Sequence, residues 1–336
     1  MRCPIALVAF IATFAVCSVC LGEPPNSETG LANSLGRGIN FGKALEAPRE
    51  GVWGFRIEDR YLDDVKAAGF ETIRLPVKWS AHAADASPYQ VDERFFVRVD
   101  EIVTKALDHD LNVVLNIHHY DEFYADPDGH EARFLALWKQ IAARFAGRSQ
   151  RLVFELLNEP RDPLTAERWN AIFPKALAVV RETNPDRWVM VGPGQWNSID
   201  GLTKLKLPED KRLIVTVHYY SPFHFTHQGA SWAEGSDAWL GTEWGSEDDK
   251  AAVRRDIEQA AAWAKLHDRP LFFGEFGAYS KADMESRVRW TTFVRSEAER
   301  LGMSWAYWEF GSGFGAFDPQ TNQWREPLKQ ALLGTP

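Results

Sequence analysis

Eight short, mostly apolar runs recur along this chain, each far enough from the next to leave room for a helix. They are RGINFG (37–42), TIRLPV (72–77), NVVLNIHH (112–119), LVFELLNE (152–159), WVMVG (188–192), LIVTVHYY (213–220), LFFGEFGA (271–278) and SWAYWEF (304–310). Near-continuous hydrophobicity, rather than apolar–polar alternation, marks parallel strands covered on both faces. Most gaps carry a helical pattern, as in YLDDVKAAG (61–69), EARFLALWKQIAARF (131–145), ERWNAIFPKALAVVRET (167–183) and DIEQAAAWAKLH (256–267). An α/β chain with eight such strands predicts a (β/α)8 TIM barrel, here one domain over 36–336. A doubly wound open sheet is the alternative. It calls for a Gly-rich phosphate turn, and no GxGxxG follows the first run.

The amino terminus has a different character. One early charge, Arg2, precedes an apolar stretch from Ile5 to Leu21, the layout of a secretory signal peptide over residues 1–22. The stretch is short for a membrane span, which needs about 20 apolar residues. Lipid anchoring at Cys17 or Cys20 is a minor alternative. Residues 23–35 (EPPNSETGLANSL) are polar and rich in turn formers, so a flexible leader is expected there. The predicted product is an exported protein, extracellular or periplasmic.

All three cysteines (Cys3, Cys17, Cys20) lie in the expected signal segment. The remainder has no thiol, hence no disulfide, no cysteine nucleophile and no thiolate metal site. The core alone must hold the fold, and a chain of about 300 residues buries roughly three-quarters of its unfolded surface. Without Arg2 there are 37 basic and 47 acidic side chains, a balance of −10. That balance argues against nucleic acid or an anionic membrane as partner and leaves a neutral substrate open. A monomer is expected.

In a barrel of this kind, functional side chains stand at the carboxyl ends of the strands. Those ends here deliver Asn40, Arg74, His118, His119, Asn158, Glu159, Gln195, Trp196, His218, Tyr220, Glu275, Trp308 and Glu309. Two glutamates at one mouth, Glu159 and Glu275, without a serine elbow or phosphate loop, suggest glycoside hydrolysis. Cleaving an acetal takes one carboxylic acid to protonate the leaving oxygen and one carboxylate to attack or to activate water. The gap between them, about 5–5.5 Å for retention and 6.5–9.5 Å for inversion, is not readable from sequence separation.

The stretches IRLPVKW, LNIHHY, FELLNEP, VHYYSPFHFTHQG, FFGEFGAY and SWAYWEF, in this order, resemble glycoside hydrolase family 5, the cellulase family of clan A. NIHHY, HYYSPFHFTHQGASW and FGEFGAYSKADMESR are similar to those of compact bacterial endoglucanases, some of which also cleave mannan. The resemblance implies a retaining, endo-acting enzyme on β-1,4-glucans, with Glu159 of NEP as acid/base and Glu275 as nucleophile. It also implies a sugar-stacking role for Trp308. β-Mannanase or dual activity is the runner-up. A non-catalytic glycan-binding barrel is the alternative from another class.

Chemistry supplies the supporting roles. A general acid needs a raised pKa, which the charge of a nearby Glu275 would supply to Glu159. Arg74 would hold Glu275 ionised, with Tyr220 a second donor. Asn158 suits a sugar 2-hydroxyl, His218 the acid/base glutamate, and His118 a sugar hydroxyl or Tyr220. Pro160 ends the strand and biases Glu159 toward extended backbone. Asn40, His119 and His227 are lesser candidates for sugar contacts.

Each reading has a structural competitor. Arg74 also fits a structural ion pair. His118, His119, His218, His224 and His227 lack the usual ligand spacings, so no metal and no cofactor is expected. Glu155 reads as a barrel-interior residue and Glu309 as a structural partner. Of fourteen tryptophans, Trp138, Trp169, Trp263 and Trp290 sit in helical patterns and belong to packing. Trp196 and Trp232 suit a polysaccharide platform, while Trp53 and Trp239 fit core and cleft equally.

Overall fold

The computed structural model describes Met1 and residues 35–334. Apart from Met1 and Leu35, the expected signal segment and leader lie outside the described residues. Every apolar run contains one strand of a closed parallel barrel in sequential order, so the open-sheet alternative does not hold. The elements run β1 (Arg37–Asn40), α1 (Arg60–Ala68), β2 (Thr72–Leu75), α2 (Glu93–Asp108), β3 (Asn112–Asn116), α3 (Asp121–Ala125), α4 (Pro127–Arg144) and β4 (Leu152–Glu155). They continue with α5 (Ala166–Arg181), β5 (Val189–Val191), β6 (Leu213–Tyr219), α6 (Phe223–Thr226), α7 (Glu247–Leu266), β7 (Leu271–Phe276), α8 (Met284–Arg300) and β8 (Ser304–Tyr307). A small hairpin, β9 (Phe317–Asp318) and β10 (Gln323–Trp324), and α9 (Glu326–Leu333) complete the chain. Between β5 and β6 a 3₁₀ turn, Asp200–Lys204, stands where a helix is usual.

Side-chain caps start the helices: Asp92, Asp126, Thr165 and Asp283 each accept a backbone N–H of the first turn of α2, α4, α5 and α8. Ser246 and Asp249 form a reciprocal capping box on α7. The apolar stripes of these helices pack onto Ile73, Val113, Leu115, Phe154 and their neighbours on the outside of the barrel. Among the described residues, no helix is long and apolar enough to cross a membrane.

Inside the barrel, the two-residue period of a strand sorts side chains into layers. A dry lower layer holds Leu35, Val114, Val153, Met190, Ile214, Phe272 and Ala306. Leu35, which the sequence assigns to a flexible leader, is instead fully buried, and its carbonyl accepts from Thr72 Oγ1. Its apolar side chain packs with Val114, Val153 and Met190 at the base of the barrel. One pleat higher, Asn40, Arg74, Asn116, Glu155 and Thr216 form a buried polar layer. Above that layer the mouth opens.

Candidate active site

The buried polar layer is organised by Arg74 on β2. Its guanidinium has five N–H donors, and all five are used. Nε and Nη2 grip Glu155 at 2.6 and 2.7 Å. Nη1 donates to Glu275 Oε1 at 2.6 Å and to Asn40 Oδ1 at 2.9 Å. Nη2 also donates to Asn158 Oδ1 at 2.8 Å. Glu275, on β7, receives a second bond from Tyr220 Oη at 2.9 Å. Charge-assisted bonds at these lengths fix a carboxylate in one orientation.

Glu159 lies beyond β4 and takes a different partner. His218 follows a register shift in β6, and its Nδ1 meets Glu159 Oε1 at 2.8 Å and Glu275 Oε2 at 3.6 Å. One nitrogen therefore stands between the two carboxylates, whose nearest oxygens are within 4.8 Å of each other. A cation held by Glu159, His218 and Glu275 would have to displace these hydrogen bonds.

Burial opposes charge on both acids. The His218 hydrogen bond outweighs that at Glu159 and holds its carboxyl below the ordinary value, while burial pushes Glu275 up. Glu275 is held by the cation Arg74 and the Tyr220 hydroxyl, whereas Glu159 has the single contact with His218 and faces the second carboxylate across the gap.

The backbone at the mouth is unusual. Of ten non-glycine residues with positive φ among the described residues, five line the cleft, Lys43, His119, Glu159, Gln195 and Trp196, and Asn197 stands beside His218. Such conformations collect where function dictates side-chain direction. Glu159, at φ 44°, is not extended as its Pro160 neighbour suggests. Proline disfavours the right-handed helical region for the preceding residue and favours extended backbone, so the left-handed conformation of Glu159 departs from that preference.

Above the acids lies a cleft of about 960 Å³. Its lining includes the expected His118, His119, Asn158, Trp196, His218, Tyr220, His227, Trp232 and Trp308. Trp196 and Trp232 are more than half exposed, and Trp53 and Trp239 also face the cleft. Trp138, Trp169 and Trp290 are fully buried, and Trp263 packs against the core. One expectation fails, and so does one of the two alternatives for His118. Asn40 reaches no substrate space: it is fully buried, donates to the Gly274 carbonyl at 2.9 Å and steadies Arg74. His118 does not bond to Tyr220; its Nδ1 meets Asn116 Nδ2 at 3.1 Å and its ring lies parallel to Trp308. Burial lowers His118, and takes His119 and His227 down to about 4, so all three are neutral contacts.

Sequence reasoning missed Lys43 and Phe223, which line the same cleft. The Lys43 ammonium sits 4.9 Å from the Trp53 ring and 5.4 Å from the Trp232 ring. Its position three residues beyond Asn40 was the available signal.

A barrel with this paired-carboxylate mouth defines a class, and comparison with known proteins agrees. The model of the cellulases, glycosyl hydrolase family 5, matches residues 36–313, and the chain belongs to that family. Endoglucanase H of Acetivibrio thermocellus is 38% identical over 288 residues, covering 86% of this chain and 31% of that protein. Endoglucanase B of Clostridium cellulovorans is 31% identical over 326 residues, 88% of this chain and 73% of the other. The chain thus spans about a third of the first of these relatives. Among solved structures, Thermotoga maritima Cel5A with mannotriose superposes with a TM-score of 0.90 at 48% identity, covering 91% of this chain and all of that one. The same protein with cellobiose gives 0.90 at 49% identity.

Proposed function

We propose that this protein is a retaining endo-β-1,4-glucanase in which Glu275 is the nucleophile and Glu159 the acid/base. The observation that carries the reading is the separation of the two carboxylates. Nearest oxygens within 4.8 Å suit direct attack, with retention at about 5–5.5 Å between carboxyl groups, and leave little space for the water an inverting site interposes. Their unequal surroundings support the division of labour. Glu275 is bound by a cation and a phenol, whereas Glu159 faces the leaving-group side with one histidine.

In the first step Glu275 forms a bond to the anomeric carbon as the glycosidic C–O bond breaks, and Glu159 gives its proton to the departing oxygen. The ester at Glu275 carries no charge, so Glu159 no longer faces an anion and becomes the base for water. Water, giving a proton to Glu159, then attacks the anomeric carbon from the face that the leaving group vacated, opposite the Glu275 ester, and releases the Glu275 carboxylate. Asn158, whose Oδ1 is committed to Arg74, keeps its Nδ2 for a sugar 2-hydroxyl. Trp308, Trp232 and Trp196 offer flat faces to successive sugar rings. The names of the relatives, endoglucanases, favour glucan over mannan. The polymeric substrate and the pattern of residues 1–22 support export, and the acidic balance supports a monomer that binds neither nucleic acid nor membrane.

The test is hydrolysis of barley β-glucan. Viscosity falling faster than reducing ends appear, with the β-anomer released first, is the expected outcome. Glu275→Gln should abolish turnover in a folded protein. Initial α-anomer, or turnover retained in that variant, would overturn the reading.

A further inference from the structure

Glu155 has no place in the reaction as described, yet it holds Arg74 more firmly than Glu275 does. It is fully buried, does not line the cleft, and among the described residues its side chain's only hydrogen bonds are the two to Arg74. A carboxylate in a barrel interior is costly to desolvate, and one pleat below, Val153 fills the equivalent position on the same strand. Packing alone would be served by an apolar side chain. What Glu155 adds is charge and a flat two-bond partner for a flat cation.

Its consequence falls on Glu275. Arg74 alone, opposite Glu275 alone, would be a one-to-one ion pair, which lowers the basicity of the carboxylate and its readiness to attack. With Glu155 gripping its Nε–Nη2 edge, the guanidinium reaches Glu275 already paired. It still directs Oε1 at 2.6 Å, but the charge is shared between two carboxylates. The other groups facing Glu275 are His218 from β6 and Tyr220 just after it, Glu159 beyond β4, and more distantly Glu309 beyond β8.

We propose that Glu155 is a positioning residue for the nucleophile: it locks Arg74 in place and takes up part of its charge, so that Glu275 is oriented while staying nucleophilic. This rests on the assignment of Glu275, which wild-type enzyme tests first. Inactivation with a 2-deoxy-2-fluoro-β-cellobioside should place the label on Glu275; a label elsewhere would refute that assignment instead.

Two variants then test Glu155. Glu155→Gln keeps the shape and removes the charge, leaving Glu275 with the whole of Arg74. The acid limb of kcat/KM should move about one unit down in pH, and labelling of Glu275 should slow about tenfold, the scale on which a neighbouring charge acts. Glu155→Asp keeps the charge but is one methylene too short for the fork. It should leave the acid limb in place and lower kcat about tenfold with KM unchanged. A purely structural role would lower the melting temperature and leave acid limb and labelling rate per folded molecule untouched. That result, or an Asp variant with wild-type kcat, overturns the proposal even if the Gln variant does not fold.

Discussion

Beneath the cleft floor, two carboxyls that do not take part in the proposed chemistry carry a sharp pH signature. Glu46 and Glu309 are both fully buried. Glu46 accepts backbone N–H bonds from Lys43 and Ala44, and burial still raises it to about 7. Among the described residues the Glu309 carboxyl has only a long bond from Phe314 N at 3.4 Å, its Oε2 has no partner, and burial together with the charge of Glu46 pushes it up to about 8. Above the ordinary carboxyl value of 4.5, the unfolded chain has released these protons and the folded chain still holds them. Their contribution is therefore fully present below about pH 4.5 and is lost as pH rises through 7 and 8.

Glu309→Gln fixes the neutral form at every pH. A shift from 4.5 to about 8 corresponds to a ceiling of about 5 kcal/mol at alkaline pH, at about 1.4 kcal/mol per unit. Water penetration and relaxation reduce such penalties, so about 2–4 kcal/mol is the working figure. At roughly 2 °C per kcal/mol for a chain of this size, the variant should gain about 4–8 °C in melting temperature over wild type between pH 5 and pH 9. Calorimetry of both proteins in matched buffers reads this difference directly. Groups common to both, the Glu159–Glu275 pair included, cancel. A difference that stays level across that range, or that shrinks, would show that Glu309 is not held protonated and would refute the reasoning.

Two further outcomes follow from the site. Glu159→Ala should lose about 10²–10⁴-fold in kcat on substrates with poor leaving groups, and azide should restore turnover of an activated glycoside as the β-glycosyl azide; an α-azide would argue against retention. Trp232→Ala should raise KM for long oligosaccharides about tenfold and spare kcat, since an exposed indole contributes about 0.5–1.5 kcal/mol of stacking; an unchanged KM on every chain length would remove Trp232 from the binding surface.

What could be read from the sequence, and what could not, follows from where the forces act. All eight strands were legible because both of their faces are dry, which leaves unbroken apolar runs. The opening turns of α7, Glu247 to Arg255, were not in the helical pattern because they are largely solvent-facing; their signal is the Ser246–Asp249 box instead. Glu159 and Glu275 could be found because a charged residue at the end of an apolar strand has few structural explanations. Their partners were harder. Asn40 stands at a strand end as a sugar ligand would, and only the closed barrel shows that it faces backbone carbonyls; His118 does line the cleft, with Nδ1 on Asn116 and not on Tyr220. Glu155 is the reverse case. Strand alternation correctly placed it inside the barrel, and that placement hid its significance, because an interior position reads as packing until its partner is known. A sequence can locate a buried charge, but it does not say which opposite charge was buried with it. At this site the choice matters, since among the described residues Arg74 is the one cation that touches both Glu155 and Glu275.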